Sequence, residues 1–150
     1  MAGTATLPGL TDLLATLGGR RALSGRVHDS EELLVRVRAG LPYAALESLQ
    51  AGYGFDGDLL REVLDVPART LARRKSSRRF SPEESDRLFR MARIVTLATE
   101  TLGGRDAARQ WLQAPNRALG GDVPLRRLDT DLGARQVEGL LGRIAHGVFS

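Results

Sequence analysis

The sequence has 150 residues, of which 42% are apolar and 27% charged, which suits one globular domain that buries roughly 70% of its extended surface. No apolar run approaches the ~18 residues of a membrane span and no signal-peptide pattern opens the chain, so we expect a soluble cytoplasmic protein with no membrane partner. The lack of cysteine excludes disulfides, thiolate nucleophiles and cysteine-ligated metals, and His28 and His146 alone offer little to an enzyme, so we expect no catalytic residue, no metal and no cofactor.

Positive charge is concentrated in one short segment. The formal net charge is +4, and 21 of the 22 basic residues are arginine. Six basic residues fall within eleven positions with no acidic residue between them, so this segment carries +6 and the rest of the chain about −2. A focused charge on a near-neutral body favours contacts with nucleic-acid phosphates, and a merely solvated basic face is the alternative. We call these six residues the basic cluster: Arg69, Arg73, Arg74, Lys75, Arg78 and Arg79.

The N-terminal segment is rich in glycine. Five glycines within the first 25 residues interrupt short apolar stretches, which predicts a mobile tail with one short helix. A second short helix is predicted from Ser30, where a capping residue precedes two glutamates, and it ends at Gly40. We expect residues 1–40 to be variable and partly disordered.

Short helices follow in the middle of the chain. Pro42 begins one of them, and either Asp56 or Asp58 caps the next, whose apolar stripe stops before Pro67. Pro67 then begins a further helix, in which Leu71 points inward and the basic cluster points elsewhere. Two helices separated by about three residues, the second of them basic, predict a helix-turn-helix unit that binds DNA.

Spacing within the basic helix suggests two roles. Arg69 and Arg73 are four residues apart, so they share a face from which either can donate two hydrogen bonds to a guanine. Thr70 can meet a thymine methyl group or a phosphate, and the other four basic residues suit phosphates better than bases. The predicted DNA-binding residues are therefore Arg69, Thr70, Arg73, Arg74, Lys75, Arg78 and Arg79.

The rest of the chain also predicts helices. Ser81, Pro82 and Glu84 give a complete helix start with a capping box, and the long helix that follows ends at Gly103. Further helices are predicted over residues 104–114 and from about residue 131, with a loop and one helical turn between them. No pattern with a period of two residues occurs, so the predicted fold class is all-α.

Glycines are unusually frequent in the last third of the chain. Gly133, Gly139 and Gly142 fall in the last predicted helix, where each costs up to about 1 kcal/mol. Either close packing of helices or a partner that needs access to the backbone would offset that cost. Near the end of this helix His146 suits either the helix dipole or a partner contact, and residues 148–150 suit insertion into a groove.

These motifs resemble a known family, the bacterial antitoxins with an Xre-like DNA-binding part and an Xre/MbcA/ParS toxin-binding domain. The resemblance implies an Xre-like helix-turn-helix domain at 41–95 and a toxin-binding domain at 96–150, and residues 1–40 carry no such match. It covers about residues 41–150. Four segments carry it: Arg69–Arg74, Ser81–Leu88, the stretch from Trp111 to Gly121, and the ending Gly133–Ser150. Within the third segment the matching residues are Trp111, Leu112, Pro115, Asn116 and Ala118–Gly121.

The resemblance also implies the partners. Antitoxins of this family usually pair with a RES-domain toxin that degrades NAD; they occlude its active site and repress their own operon by binding operator DNA. They form homodimers and, with toxin, larger hetero-oligomers, which would be associated with the nucleoid when bound to the operator. Arg143 is a strong candidate, because a guanidinium suits a pocket built for a phosphate-bearing dinucleotide. The toxin-binding residues implied by motif position are Asn116, Leu119, Gly120, Gly121, Arg143, His146, Gly147, Phe149 and Ser150.

Two other classes of protein are alternatives to an antitoxin. A stand-alone helix-turn-helix transcription regulator would use its C-terminal helices only to dimerise or to sense a ligand, and it would bind DNA without any toxin partner. An enzyme is disfavoured because no convergent set of catalytic residues is present.

Overall fold

The computed structural model describes residues 9–147, and the regular structure in that range is helical throughout. Two 3₁₀ helices, Arg117–Leu119 and Pro124–Asp129, join the last two α-helices of the described range. The all-α fold class predicted from the sequence is confirmed. In chain order the α-helices of this part of the chain are α1 Leu10–Thr16, α2 Gly19–Ala22, α3 Ser30–Ala39, α4 Tyr43–Tyr53, α5 Gly57–Leu64, α6 Ala68–Ser77, α7 Pro82–Leu102, α8 Arg105–Gln113 and α9 Asp131–Ala145.

Helix α7 is the centre of the fold. It begins with the predicted capping box, in which the Glu84 amide donates to Ser81 Oγ over 3.2 Å and the Ser81 amide donates to Glu84 Oε1 over 2.8 Å. It ends at Gly103, whose φ of +88° allows the left-handed turn. Its core face, which includes Leu88 and Ile94, is fully buried against α1, α3, α5, α8 and α9. Because α7 passes through the boundary predicted at residues 95 and 96, the segments on both sides pack on one helix.

The predicted pair of short helices is present as α5 and α6. Asp56 caps α5 by accepting a hydrogen bond from the Asp58 amide over 3.0 Å, which decides between the two candidate caps. The helix ends at Asp65 in a left-handed conformation with φ +54°, and Val66 is buried before Pro67 leads into α6. These contacts fix the turn between the two helices.

The described part of the N-terminal segment differs from the mobile tail that the sequence suggested. Residues 9–40 hold three helices, and Leu13 and Leu17 have no exposed surface. Thr16 Oγ1 lies 2.6 Å from Thr96 Oγ1 of α7, which ties α1 to the centre of the fold. The glycines end helices or turn the chain here, and burial of the apolar residues between them outweighs their conformational freedom. Residues 1–8 of the predicted tail lie outside the described range.

The second 3₁₀ helix and α9 pack against α7 and complete the hydrophobic core. Leu125, Leu128 and Val137 are fully buried beneath α9 and the second 3₁₀ helix. An ion pair between Arg93 of α7 and Glu138 of α9, 3.2 Å long and nearly buried, crosses the same interface. None of the described helices is long and apolar enough to cross a lipid bilayer.

Candidate functional site

Helix α6 presents the basic cluster on its surface. The helix has no fully buried residue, and Leu71 packs partly against the core, as the sequence predicted. Arg69 and Lys75 are exposed and form no ion pair within the described range 9–147. Arg73 is also exposed, and its Nη2 donates to Thr70 Oγ1 over 3.3 Å. The arrangement holds the two predicted base-reading arginines and Thr70 together on one helix.

Arg74 occupies a different environment from its neighbours in the cluster. Its Nε and Nη2 donate to the two carboxylate oxygens of Glu84, over 2.7 and 3.1 Å. Burial acts to raise the pKa of Glu84, but hydrogen bonds from Arg74 and Ser81 outweigh it and hold the pKa below its usual range. Arg74, which is predicted to contact phosphate, thus also forms an ion pair that joins α6 to α7.

The two arginines at the end of α6 flank a turn. Arg78 adopts a left-handed conformation with φ +68°, and its side chain is exposed. Arg79 is exposed too, but its Nη1 donates to the carbonyl of Gly40 over 2.9 Å, which leaves its other N–H groups for a ligand. Arg78 is thus the less restrained of the pair.

The loop after α8 is a closed turn built on Asn116. Its side chain accepts from the Ala118 amide over 3.0 Å, and its backbone pairs with Asp122. Gly120 and Gly121 have φ values of +68° and +87°, so the turn itself requires glycine at these positions. A Cβ at either glycine would meet no atom within 4 Å, so packing against other residues of the described chain does not require glycine there. Asn116 and the two glycines therefore determine the backbone conformation of the loop, and the glycines leave open space at its surface.

Arg127 locks this loop to α9, and sequence reasoning missed it. It donates to Asp122 Oδ2 over 2.9 Å, to the carbonyl of Leu119 over 2.9 Å and to Gln136 Oε1 over 2.7 Å. The ion pair with Arg127 is the leading reason that the pKa of Asp122 lies below its usual range. Two consecutive arginines give no sequence signal for this role, because the partners of Arg127 come from three separate elements.

A shallow groove runs between the loop and α9. Leu119, Gly120 and Arg143 of the predicted toxin-binding set line it together. Arg143 is exposed and makes no ion pair within the described part of the chain. The remaining lining residues are Ala118, Arg127, Arg135, Gln136 and Gly139, of which Arg135 is held by Asp131 over 2.8 Å.

The other predicted toxin-binding residues lie beyond this groove. His146 and Gly147 follow the last turn of α9 and are exposed. Phe149 and Ser150 lie outside the described residues. Gly139, which sits four residues before Arg143 on the same face of α9, was recognised from the sequence only as a costly helical glycine.

Comparison with known proteins identifies the family. An antitoxin Xre of Photorhabdus laumondii is 38% identical over 114 residues, which cover 74% of this chain and 76% of that protein. The chain belongs to the Xre family of antitoxins. The predicted family is thereby confirmed, and a second antitoxin Xre, from Yersinia enterocolitica, is 32% identical and covers 79% of this chain and 81% of its own length.

Two family models match successive parts of this Xre-family antitoxin. Residues 32–93 match the antitoxin Xre-like helix-turn-helix domain, and residues 97–147 match the antitoxin Xre/MbcA/ParS C-terminal toxin-binding domain. The helix-turn-helix match begins upstream of residue 41 and so includes most of α3. Among solved structures, the Mycobacterium tuberculosis MbcT–MbcA toxin–antitoxin complex is similar, with 24% identity, a TM-score of 0.48, and coverage of 83% of this chain and 100% of that chain.

Proposed function

We propose that this Xre-family antitoxin inhibits a RES-domain, NAD-degrading toxin by steric occlusion and represses its own operon through the helix-turn-helix. The observation that carries the proposal is the presence of two surfaces that share no residue: the basic face of α6, and the groove between α9 and the loop after α8. Each falls within the family model whose description fits it, the first in 32–93 and the second in 97–147. The proposed division of labour assigns residues 41–95 to DNA and 96–150 to the toxin.

The glycines of α9 support a close approach by the toxin. A Cβ placed on Gly139 or Gly142 would meet no atom within 4 Å, so packing within the described chain does not require glycine there. Gly133 is the contrast, because a Cβ there would overlap the carbonyl of Arg127. Of the two explanations open at the level of sequence, internal packing accounts for Gly133, and access for a partner backbone would account for Gly139 and Gly142.

Arg143 is the residue best placed to act on the toxin. It stands on the same groove as Gly139, exposed and without an ion-pair partner among the described residues. A free guanidinium can bind two oxygens of a phosphate or carboxylate at once, which suits the entrance of a site that receives a dinucleotide. His146, Gly147, Phe149 and Ser150 follow directly and would extend the same contact.

On the DNA side, Arg69, Thr70 and Arg73 would read bases while Lys75, Arg78 and Arg79 hold phosphates. A homodimer would place two α6 helices about 34 Å apart, one turn of DNA, on a two-fold symmetric operator, where the antitoxin would associate with the nucleoid. Binding of toxin would join such dimers into a larger hetero-oligomer. The antitoxin itself would carry no catalytic activity. The match of residues 97–147 to a toxin-binding domain favours this account over a stand-alone transcription regulator.

Co-expression tests the proposal. The protein encoded beside this antitoxin is expressed alone and together with it, growth and cellular NAD are followed, and the complex is isolated through a tag on one partner. The proposal predicts loss of growth and NAD with the neighbour alone, recovery of both with the antitoxin, and co-purification. An inactive neighbour, or one that stays active in the presence of the antitoxin, would overturn it.

A further inference from the structure

Helix α2 carries two further arginines, one of which borders the end of α6. Arg20 and Arg21 lie on α2, are both exposed, and form no ion pair with a residue of the described range. Arg21 lines one groove together with Lys75 and Arg78 of the basic cluster. Helix α2 precedes residue 32, where the helix-turn-helix match begins, so the match does not account for these arginines.

Packing fixes α2 beside α4, the helix that forms the floor of this groove. Gly18, with φ +96°, leads into α2, and a Cβ there would overlap the side chain of Ser48 in α4. Ala22 and Leu23 are buried on either side of the end of α2. The core packing of α2 therefore sets its position relative to α6. The two arginines project from a packed helix and not from a loose tail.

The charge of the groove is strongly one-sided. Four of its lining side chains are basic and one, Glu47, is acidic, which leaves a net charge of +3. Clustered arginine and lysine without matching carboxylates attract a partner with a regular array of negative charge. The patch is continuous with the basic face of α6, which favours the same DNA as that partner.

We propose that Arg20 and Arg21 extend the DNA interface beyond the helix-turn-helix domain by contacting backbone phosphates beside the segment that α6 reads. The inference rests on the proposed function, since it requires that α6 binds DNA. Phosphate contacts do not depend on base sequence, so α2 strengthens binding to every duplex by the same factor. Each phosphate contact also adds about 0.9 to the slope of log affinity against log salt.

The test measures DNA affinity of the full chain over a series of salt concentrations, both alone and in complex with the protein of the neighbouring gene. The probes are a duplex from upstream of its own gene and a scrambled duplex of equal length. Arg20→Ala/Arg21→Ala is compared with Arg109→Ala/Arg117→Ala, which removes the same charge from α8 and the first 3₁₀ helix. Arg20→Lys/Arg21→Lys keeps the charge, and Arg69→Ala/Arg73→Ala tests α6 directly.

The α2 double alanine variant is expected to bind both duplexes roughly 3- to 10-fold more weakly, with a salt slope smaller by about 1.8, and with an unfolding temperature equal to that of the control. The lysine variant is expected to retain the wild-type slope. If the α2 alanine variant matches the control in affinity and salt slope while the α6 variant loses operator binding, the inference about α2 is wrong and the proposed DNA-binding function stands. If the wild type binds neither duplex, or the α6 variant binds like wild type, the proposed DNA-binding function fails as well.

Discussion

Arg74 and Glu84 join the basic helix to the central helix through two hydrogen bonds of 2.7 and 3.1 Å. The same carboxylate accepts from the Ser81 amide and so completes the cap of α7. The Glu84 side chain therefore both caps α7 and positions α6, the helix proposed to read DNA. This arrangement ties the geometry of the DNA-binding face to the stability of the core.

Glu84→Gln should lower stability near neutral pH but not in acid. The pKa of Glu84 is lowered below 4.5 in the folded chain, because its hydrogen bonds outweigh its burial. A lowered folded pKa contributes stability above the unfolded pKa, and that contribution is lost as the pH falls through the folded value. Urea unfolding should show a deficit of about 1 kcal/mol near neutral pH, and this deficit should shrink as the pH falls through the folded pKa of Glu84.

The matched control for that experiment is Glu83→Gln in the same turn of α7. Glu83 is exposed and has no ion-pair partner within residues 9–147. We expect its deficit near neutral pH to be smaller, since it contributes only to the helix dipole. Equal deficits in the two variants, or a Glu84→Gln deficit that persists in acid, would contradict the role given to the ion pair.

Arg73→Ala should weaken specific DNA binding and relax base selectivity at one position. A bidentate contact between arginine and guanine contributes roughly 1–3 kcal/mol of discrimination. Arg78→Ala should instead weaken binding to all sequences and lower the salt slope by about 0.9. Binding to a library of operator variants checks both, and equal losses on specific and scrambled DNA for Arg73→Ala would refute a base-reading role.

Gly139→Ala should stabilise the fold and weaken toxin binding at the same time. The position is helical, and a Cβ there meets open space, so alanine should raise the free energy of unfolding by about 0.5–1 kcal/mol. The added methyl group would separate the toxin from the helix backbone. Gly133→Ala is the control and should destabilise the chain, because its Cβ overlaps the Arg127 carbonyl. Unchanged toxin affinity in Gly139→Ala, measured by calorimetry, would refute the docking face.

Leu13→Ala should destabilise the whole fold. Leu13 has no exposed surface, and truncating a buried leucine typically removes about 2–5 kcal/mol. Leu132, with 69% of its surface exposed, provides the control, and Leu132→Ala should change the free energy of unfolding by less than about 0.5 kcal/mol. Equal stabilities of the two variants in urea would mean that α1 is not part of the cooperative unit.

Local signals predicted the elements whose ends are set by local chemistry. The start of α7 follows from Ser81, Pro82 and Glu84, and its end from Gly103, all of which act within one turn of the helix. The turn before α6 follows likewise from Pro67. The helical hairpin and the glycine-bounded loop after α8 were therefore predictable from neighbouring residues.

Tertiary contacts determined the features that the sequence did not reveal. Leu13 and Leu17 are buried by helices far along the chain, so their short, glycine-flanked helix resembled a tail. Arg74 belongs to a run of basic residues, and its partner lies ten residues ahead across a turn that Arg78 makes with positive φ. The three partners of Arg127 are also brought together only by folding.

Toxin binding and DNA binding are proposed to use separate surfaces of one antitoxin. The most direct measurement is neutralisation of the neighbouring-gene toxin, scored by growth, with Arg73→Ala and Arg143→Glu each purified and tested for operator binding. We predict that Arg73→Ala restores growth although it binds the operator more weakly than the wild type, and that Arg143→Glu binds the operator like the wild type without restoring growth. Loss of neutralisation in Arg73→Ala, or full neutralisation by Arg143→Glu, would contradict the account.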